Sequence, residues 1–239
     1  MLIKKWEKLP PELQIEEVRP YWEILRKKNF SLFWKRVFDI LVSGICLIIL
    51  LPFFLILSLA IIIDSRGGVF YRQERVTQYG KRFRIFKFRS MVSDADKKGT
   101  LVTVNNDVRI TKVGKFIRKF KIDEMSQLID IFRGTMTFIG TRPEVPKYVE
   151  QYKPEYLATL LLPAGVSSMA SIMFKDENEM ISKCANTEET YINEILPIKM
   201  KWNLSELKKY GFWRDIKLCF MTIFAVLGKG YAEKQGNVK

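Results

Sequence analysis

The sequence predicts an α/β chain, predominantly helical: a re-entrant membrane helix-break-helix joined to a small cytosolic domain with a β-hairpin and interfacial amphipathic helices. Three observations carry that reading. Val37–Ile63 is an almost unbroken apolar run with Pro52 near its middle, residues 69–88 alternate partially around a turn-like tetrapeptide, and apolar residues after Glu124 recur at helical spacing.

Residues 1–34 come first, with a break at Pro10–Pro11 and a short helix ending near Asn29 whose apolar side carries Trp22 and Leu25. They read as an interfacial or packing segment. Residues 35–64 follow as the membrane element. An unbroken helix over Val37–Ile63 would be about 40 Å long, more than the roughly 30 Å of a hydrocarbon core. Proline lacks a donor and clashes with the preceding turn, so Pro52 is expected to kink or break the helix. The two arms would then measure roughly 22 and 16 Å, and neither spans alone. Lysines and arginines flank both ends: Lys27, Lys28, Lys35 and Arg36 before, Arg66, Arg72 and Arg75 after. A single crossing predicts an asymmetry of such charges. Their symmetry favours two ends on one cytosolic face, with a kinked spanning helix as the alternative. A cleaved signal peptide is not expected, because more than thirty residues rich in charge precede the block.

Residues 65–200 are read as the catalytic domain. Val69–Val76 and Arg82–Phe88 flank Thr77-Gln78-Tyr79-Gly80 as a hairpin. Asp94–Asn106 is polar and loop-like. Val113–Phe120 and Glu124–Phe132 read as helices, the second carrying Met125, Leu128, Ile129 and Phe132 on one face and stopping at Gly134. Pro146–Leu162 reads as another helix closed by Pro163 and Gly165. In the 201–239 segment, Phe212–Leu227 would be about 24 Å long, too short to span comfortably, and lies either in the interface plane or in the core.

Composition narrows the chemistry. The chain has 239 residues, a formal charge of +14 and no histidine. The charge suits an anionic membrane surface or phosphate-bearing substrates; nucleic acid is disfavoured by the apolar block and the lack of any zinc-finger or basic-zipper spacing. Without histidine, Ser-His-Asp and Cys-His catalysis are excluded, as are histidine-bearing zinc sites. Cys46, Cys184 and Cys219 match no ligand spacing and read as reduced structural thiols. Carboxylates, lysine, hydroxyls or an oxygen-bound hard metal remain.

Asp123–Glu124 is the candidate constellation. It follows a basic run, Lys115, Arg118, Lys119 and Lys121, and opens a helix. Adjacent carboxylates there also simply complement a helix dipole. In the chemical reading, Asp123 attacks phosphorus while Glu124, turned about 100° around the helix, holds a divalent metal with substrate oxygens. Lys87, Arg89, Arg118 and Arg142 supply cations for the remaining oxygens, or form a solvated basic face.

These residues carry a resemblance. Lys35-Arg36-Val37-Phe38-Asp39, Pro52, Val69-Phe70-Tyr71-Arg72-Gln73-Glu74-Arg75-Val76, Phe86-Lys87-Phe88-Arg89-Ser90-Met91, Asn106-Asp107-Val108-Arg109-Ile110-Thr111-Lys112-Val113-Gly114, Ile122-Asp123-Glu124, Gly140-Thr141-Arg142-Pro143 and Pro163-Ala164-Gly165-Val166 occur in order. Together they cover roughly residues 35–177. The chain resembles the bacterial sugar transferases, the monotopic polyprenyl-phosphate phosphoglycosyl transferases, in their minimal form without an added polytopic domain. The resemblance implies a UDP-sugar donor, a polyprenyl (undecaprenyl) phosphate acceptor, Mg²⁺, and a ping-pong reaction through a phosphosugar on Asp123 at the cytosolic face of the bacterial inner membrane. It implies Glu124 as the metal residue, Lys87 and Arg118 at the active site, Arg142 near the nucleotide, and Arg36 with Asp39 as a membrane-boundary pair. Leu51 replaces the usual Ser before Pro52, and Thr141 the first Pro of the nucleotide element. A membrane scaffold that binds anionic lipid or an assembly partner and a nucleotide-sugar hydrolase are the rival readings. Donor sugar, glycan pathway and oligomeric state are not legible.

Overall fold

A computed structural model describes residues 2–93, 108–174 and 187–226. Asp94–Asn106, Asp107, Cys184 and Leu227, each part of a reading above, lie outside them.

Two 3₁₀ turns lead into α1 (Arg19–Arg26). Tyr21, Trp22 and Leu25 of α1 are buried, and they pack with Leu13, Val18, Leu161, Leu204 and Leu207. The N-terminal segment is therefore a packing element on the globular body. α2 (Asn29–Asp64) follows as one helix of 36 residues.

Pro52 does not break it. Helical geometry continues through the proline, contrary to the helix-break-helix expected from the sequence. A helix-interior proline removes one backbone bond and strains one turn, but its fixed φ is itself helical. Packing on both sides supplies the remainder. Leu32, Lys35, Asp39, Ser43, Phe54, Leu57 and Ile61 are buried at successive three- or four-residue steps, with an eleven-residue gap bridged by half-buried Leu47 and Leu50. That is a single stripe along the whole helix. Its opposite side stays apolar and exposed, from Phe33 and Trp34 through Ile48, Ile49 and Leu51 to Ile63.

β1 (Phe70–Val76) and β2 (Arg82–Phe88) pair antiparallel, Phe70 opposite Phe88 and Val76 opposite Arg82, as the alternation predicts. The turn between them places Tyr79 at φ 60° and Gly80 at φ 73°. α3 (Lys112–Lys119) is capped by Thr111, whose hydroxyl accepts from Gly114 N at 2.9 Å. Val113 and Ile117 pack beneath Phe54, Leu57 and Ile61 of α2.

The expected helix from Glu124 to Phe132 divides. Ile122–Gln127 is a 3₁₀ turn and α4 is only Leu128–Arg133. Gly134, at φ 88°, ends α4 as a left-handed cap. Pro146–Leu162 also divides, into α5 (Pro146–Val149) and a 3₁₀ segment Pro154–Leu161. Pro154 holds Lys153 extended (ψ 152°), and that interrupts the helix. Thr159 donates to the Tyr156 carbonyl at 2.7 Å within the 3₁₀ piece.

β3 (Met136–Ile139) and β4 (Ala164–Ser167) form a second, parallel pair that the sequence reading missed. α6 (Met169–Met173) follows it. α7 (Thr187–Thr190) runs through a π-helical turn, Tyr191–Ile195, into α8 (Leu196–Lys208), and α9 (Phe212–Val226) closes the described chain. α9 packs on α2, β3 and α6 through Leu218 and Ala225 and exposes Trp213, Phe220, Ile223 and Phe224, so it is core on one face and apolar surface on the other.

Candidate active site

Four elements converge on the carboxylate pair. α3 ends at Lys119, and Lys121 then takes a left-handed conformation (φ 53°) that turns the chain into the Ile122–Gln127 turn. A non-glycine residue seldom adopts that region without compensation from its surroundings. The reversal presents Asp123 and Glu124 beside β2. Asp130, buried in α4, accepts from Phe86 N at 2.8 Å and from Thr135 Oγ1 at 3.3 Å, which locks α4 against the strand that carries Lys87.

Arg142 arrives from the end of the parallel pair. Gly140 N donates to Ser167 O at 2.9 Å and Gly165 N to Thr141 O at 2.8 Å, so the ladder extends one step past β3. A Cβ on Gly165 would lie 2.2 Å from Gly140 N, so only glycine permits the two backbones to meet there. The next side chain is Arg142.

Glu124 is the hub. Its Oε1 accepts from Lys87 Nζ at 3.0 Å and from the Arg142 guanidinium, and its Oε2 takes a single long contact from Arg142 at 3.3 Å. Burial alone would raise its pKa, but Arg142 and Lys87 override it and hold the carboxyl well below the ordinary range. Asp123 behaves in the opposite sense. Burial raises its pKa and the Glu124 charge raises it further, against the opposing pull of Lys87 and Arg118. Neighbouring carboxylates are thus driven apart, the Glu124 pKa downward and the Asp123 pKa upward.

The cluster therefore unites Lys87, Glu124 and Arg142, with Asp123 adjoining and Arg118 near enough to act on it. Arg89 is elsewhere. Its guanidinium donates to Ser65 O at 2.6 Å, Arg66 O at 2.9 Å and Ile61 O at 3.3 Å. It caps the orphan carbonyls at the end of α2 and is not available as a substrate cation.

Arg36 and Asp39 do not pair with each other among the described residues. Arg36 caps α4 through Ile131 O (2.6 Å) and Phe132 O (2.8 Å), while Asp39 accepts from Thr137 Oγ1 (2.7 Å) and Phe138 N (3.3 Å). Both reach into the α4–β3 corner. Next to them, buried Lys35 donates to Ile139 O at 2.8 Å and to Asp215 Oδ2 at 2.5 Å. Asp215 is 180 residues away on α9, and no spacing signal announces it. Sequence reasoning missed Asp130 and Asp215 alike.

A divalent metal fits the donor set. Mg²⁺ commonly takes one or two protein carboxylates and completes its shell with water and substrate phosphate oxygens. Among the described residues no group of three or more ligating side chains occurs. Glu124 is the carboxylate that could hold it, since its Oε2 carries only one long contact from Arg142, and the Asp123 carboxylate adjoins.

Residues 30–229 match the family model described as bacterial sugar transferase. The chain belongs to the bacterial sugar transferase family. It is 32% identical over 198 residues to the UDP-N-acetylgalactosamine-undecaprenyl-phosphate N-acetylgalactosaminephosphotransferase of Aeromonas hydrophila, covering 82% of this chain and 44% of that one. It is 29% identical over 210 residues to the UDP-glucose:undecaprenyl-phosphate glucose-1-phosphate transferase of Klebsiella pneumoniae, covering 86% and 42%. An enzyme of the same name from Caulobacter vibrioides is 28% identical over 196 residues, covering 81% and 69%. The chain thus spans less than half the length of the first two relatives.

Proposed function

We propose that this chain transfers a phosphosugar from a UDP-sugar to polyprenyl phosphate through a covalent adduct on Asp123. The observation that carries the reading is the Asp123–Glu124 pair: one carboxylate held as an anion by Lys87 and Arg142, its neighbour without such an ion pair among the described residues and near Arg118. The relatives' names, each joining a sugar phosphate to undecaprenyl phosphate, support the substrate classes.

In the first half-reaction a carboxylate oxygen of Asp123 attacks the sugar-linked phosphorus. The new O–P bond forms as the bond to the UMP oxygen breaks, and UMP leaves with that electron pair. Arg142 and Lys87 steady the diphosphate oxygens, and Arg118 neutralises charge beside the nucleophile. In the second half-reaction an oxygen of the lipid phosphate attacks the same phosphorus and Asp123 is released as carboxylate. Glu124 would hold Mg²⁺, which when bound would offset charge on the departing phosphate.

The membrane helix supplies the meeting place. Lys35 and Asp39 near its start dock on β3 and α9, while Phe54, Leu57, Ile61 and Asp64 near its end dock on β2 and α3. Both ends thus hold the same globular body, which supports a path that enters and leaves on one face, the continuous helix bending at Pro52 without breaking there, with the active site on the cytosolic side. Ile48–Phe53, all exposed except half-buried Leu50, would lie deepest. Cysteines placed before Lys35 and after Ser65 are expected to label from one side of sealed vesicles; labelling from opposite sides would refute the path.

The deciding experiment withholds the lipid. Incubated with donor alone, the protein is expected to gain the mass of a phosphosugar and release one equivalent of UMP, and Asp123→Asn to do neither. Continuous UMP release without lipid would point to a hydrolase instead.

A further inference from the structure

Arg142 sits between two sets of anchors. Behind it, Gly140 N donates to Ser167 O and Thr141 O accepts from Gly165 N, both on the parallel pair. Ahead of it, Pro143 O accepts from Arg75 Nη1 at 3.2 Å and Glu144 O from Val76 N at 3.0 Å, both on β1. The chain therefore passes from one sheet to the other at the residue that grips Glu124.

β1 is also the partner of the strand that carries the second cation. Tyr71 stands opposite Lys87, Gln73 opposite Ile85 and Arg75 opposite Phe83, so these residues share one face of the hairpin. From that face Lys87 reaches Glu124 at 3.0 Å and Arg75 reaches Pro143. Gln73 aims Arg75: its Oε1 accepts from Nη2 at 2.6 Å, leaving Nη1 for the carbonyl. A guanidinium is a rigid planar fork, so holding one prong directs the other.

Charge argues for a return beyond stability. Burial lowers the Arg75 pKa most, Glu144 opposes that, and the Arg142 charge lowers it further. Glu144 is itself shared, since the Tyr191 hydroxyl donates to its Oε1 and Lys199 Nζ lies 3.6 Å from it. Two guanidiniums that feel one another's charge are costly to hold, and an anionic substrate offsets that cost.

We propose that Arg75, aimed by Gln73, is a positioning residue that sets the span between Arg142 and Lys87 and with it the grip on the donor's diphosphate. This rests on the transferase reading of the site. Nucleotide affinity, not lipid affinity, then depends on two β1 side chains that make no contact with Glu124.

The test uses the full chain in nanodiscs, with UDP and undecaprenyl phosphate as separate binding probes in calorimetry. Arg75→Met is expected to weaken UDP about tenfold, the effect of one charge-assisted contact, with lipid binding unchanged. Gln73→Leu keeps the charge but frees the fork, and should weaken UDP about threefold. In an Arg142→Met background, adding Arg75→Met should cost less than about twofold more, because the group it positions is gone. Unchanged UDP affinity in Arg75→Met or in Gln73→Leu overturns the proposal. So does a loss of full size that persists without Arg142, which would mean that Arg75 touches the donor itself, or a loss for both probes that tracks melting temperature. Failure of the transferase reading looks different: the parent binds both probes yet moves no sugar phosphate into lipid.

Discussion

Two charged clusters of similar make-up sit within this chain and have opposite fates. Around Glu124, Lys87 and Arg142 are partly open, with side chains 22% and 38% exposed. Around Lys35, the ammonium group (side chain 4% exposed) is shut in with Asp39 and Asp215 where α2 meets β3 and α9. Each has two carboxylates, set against Lys87 and Arg142 in the open cluster and against Lys35 alone in the closed one. The open cluster has a carboxylate, Asp123, with no hydrogen-bonded cation of its own among the described residues, whereas in the closed one both carboxylates have firm partners. Reactive chemistry needs an unsatisfied group that a substrate reaches; a structural clamp needs neither. Accessibility, not composition, separates the two.

Substitutions sharpen that contrast, beginning with the largest expected effect. Asp123→Asn should reduce UMP release at least a thousandfold while the melting temperature holds, the signature of a nucleophile in an open cluster. Retained turnover would dissolve the distinction. Lys35→Met should do the reverse, costing about 3–5 kcal/mol in denaturant unfolding because it strands Asp39 and Asp215 as buried anions. Replacing Asp215 together with Lys35 by apolar residues should recover part of that loss, since Asp39 still lacks its cation.

Arg89→Met is smaller. It uncovers the carbonyls that end α2 and should cost about 1–3 kcal/mol of stability with UMP affinity intact. A selective loss of UMP affinity would return Arg89 to the substrate site. The smallest effect concerns pH. Burial raises the Asp123 pKa, so the acid limb of kcat/KM should lie above that of an ordinary aspartate, activity falling as pH falls through it. Lys87→Met removes a cation that opposes the shift and should move that limb higher still. Glu124 has the opposite sign. Its depressed pKa contributes stability that is present above the ordinary glutamate range and fades as pH drops below it.

Much of this was legible in residue order, and the exceptions share a cause. The long apolar helix, the hairpin and the stop at Gly134 follow from local periodicity and backbone chemistry. Asp123, Glu124, Lys87 and Arg142 came from motif spacing, and the fold places them together or side by side. Pro52 misled because a single lost hydrogen bond competes with a stripe of packing that sequence does not display. Arg89 misled because a cation at the end of a strand looks the same whether it faces a phosphate or a helix terminus. Asp215 and the β3–β4 pairing join segments far apart in the chain, and no local pattern encodes such partners.

The Lys35–Asp215 pair also sets a timetable. At about 5–20 residues per second the ribosome needs roughly 10–40 s to progress from one partner to the other. Throughout that interval the lysine has no anion waiting on α9 and only Asp39, one turn on along its own helix, as a neighbouring carboxylate. The apolar helix is therefore held first by β3, through Asp39 and Lys35, and α9 completes the clamp later.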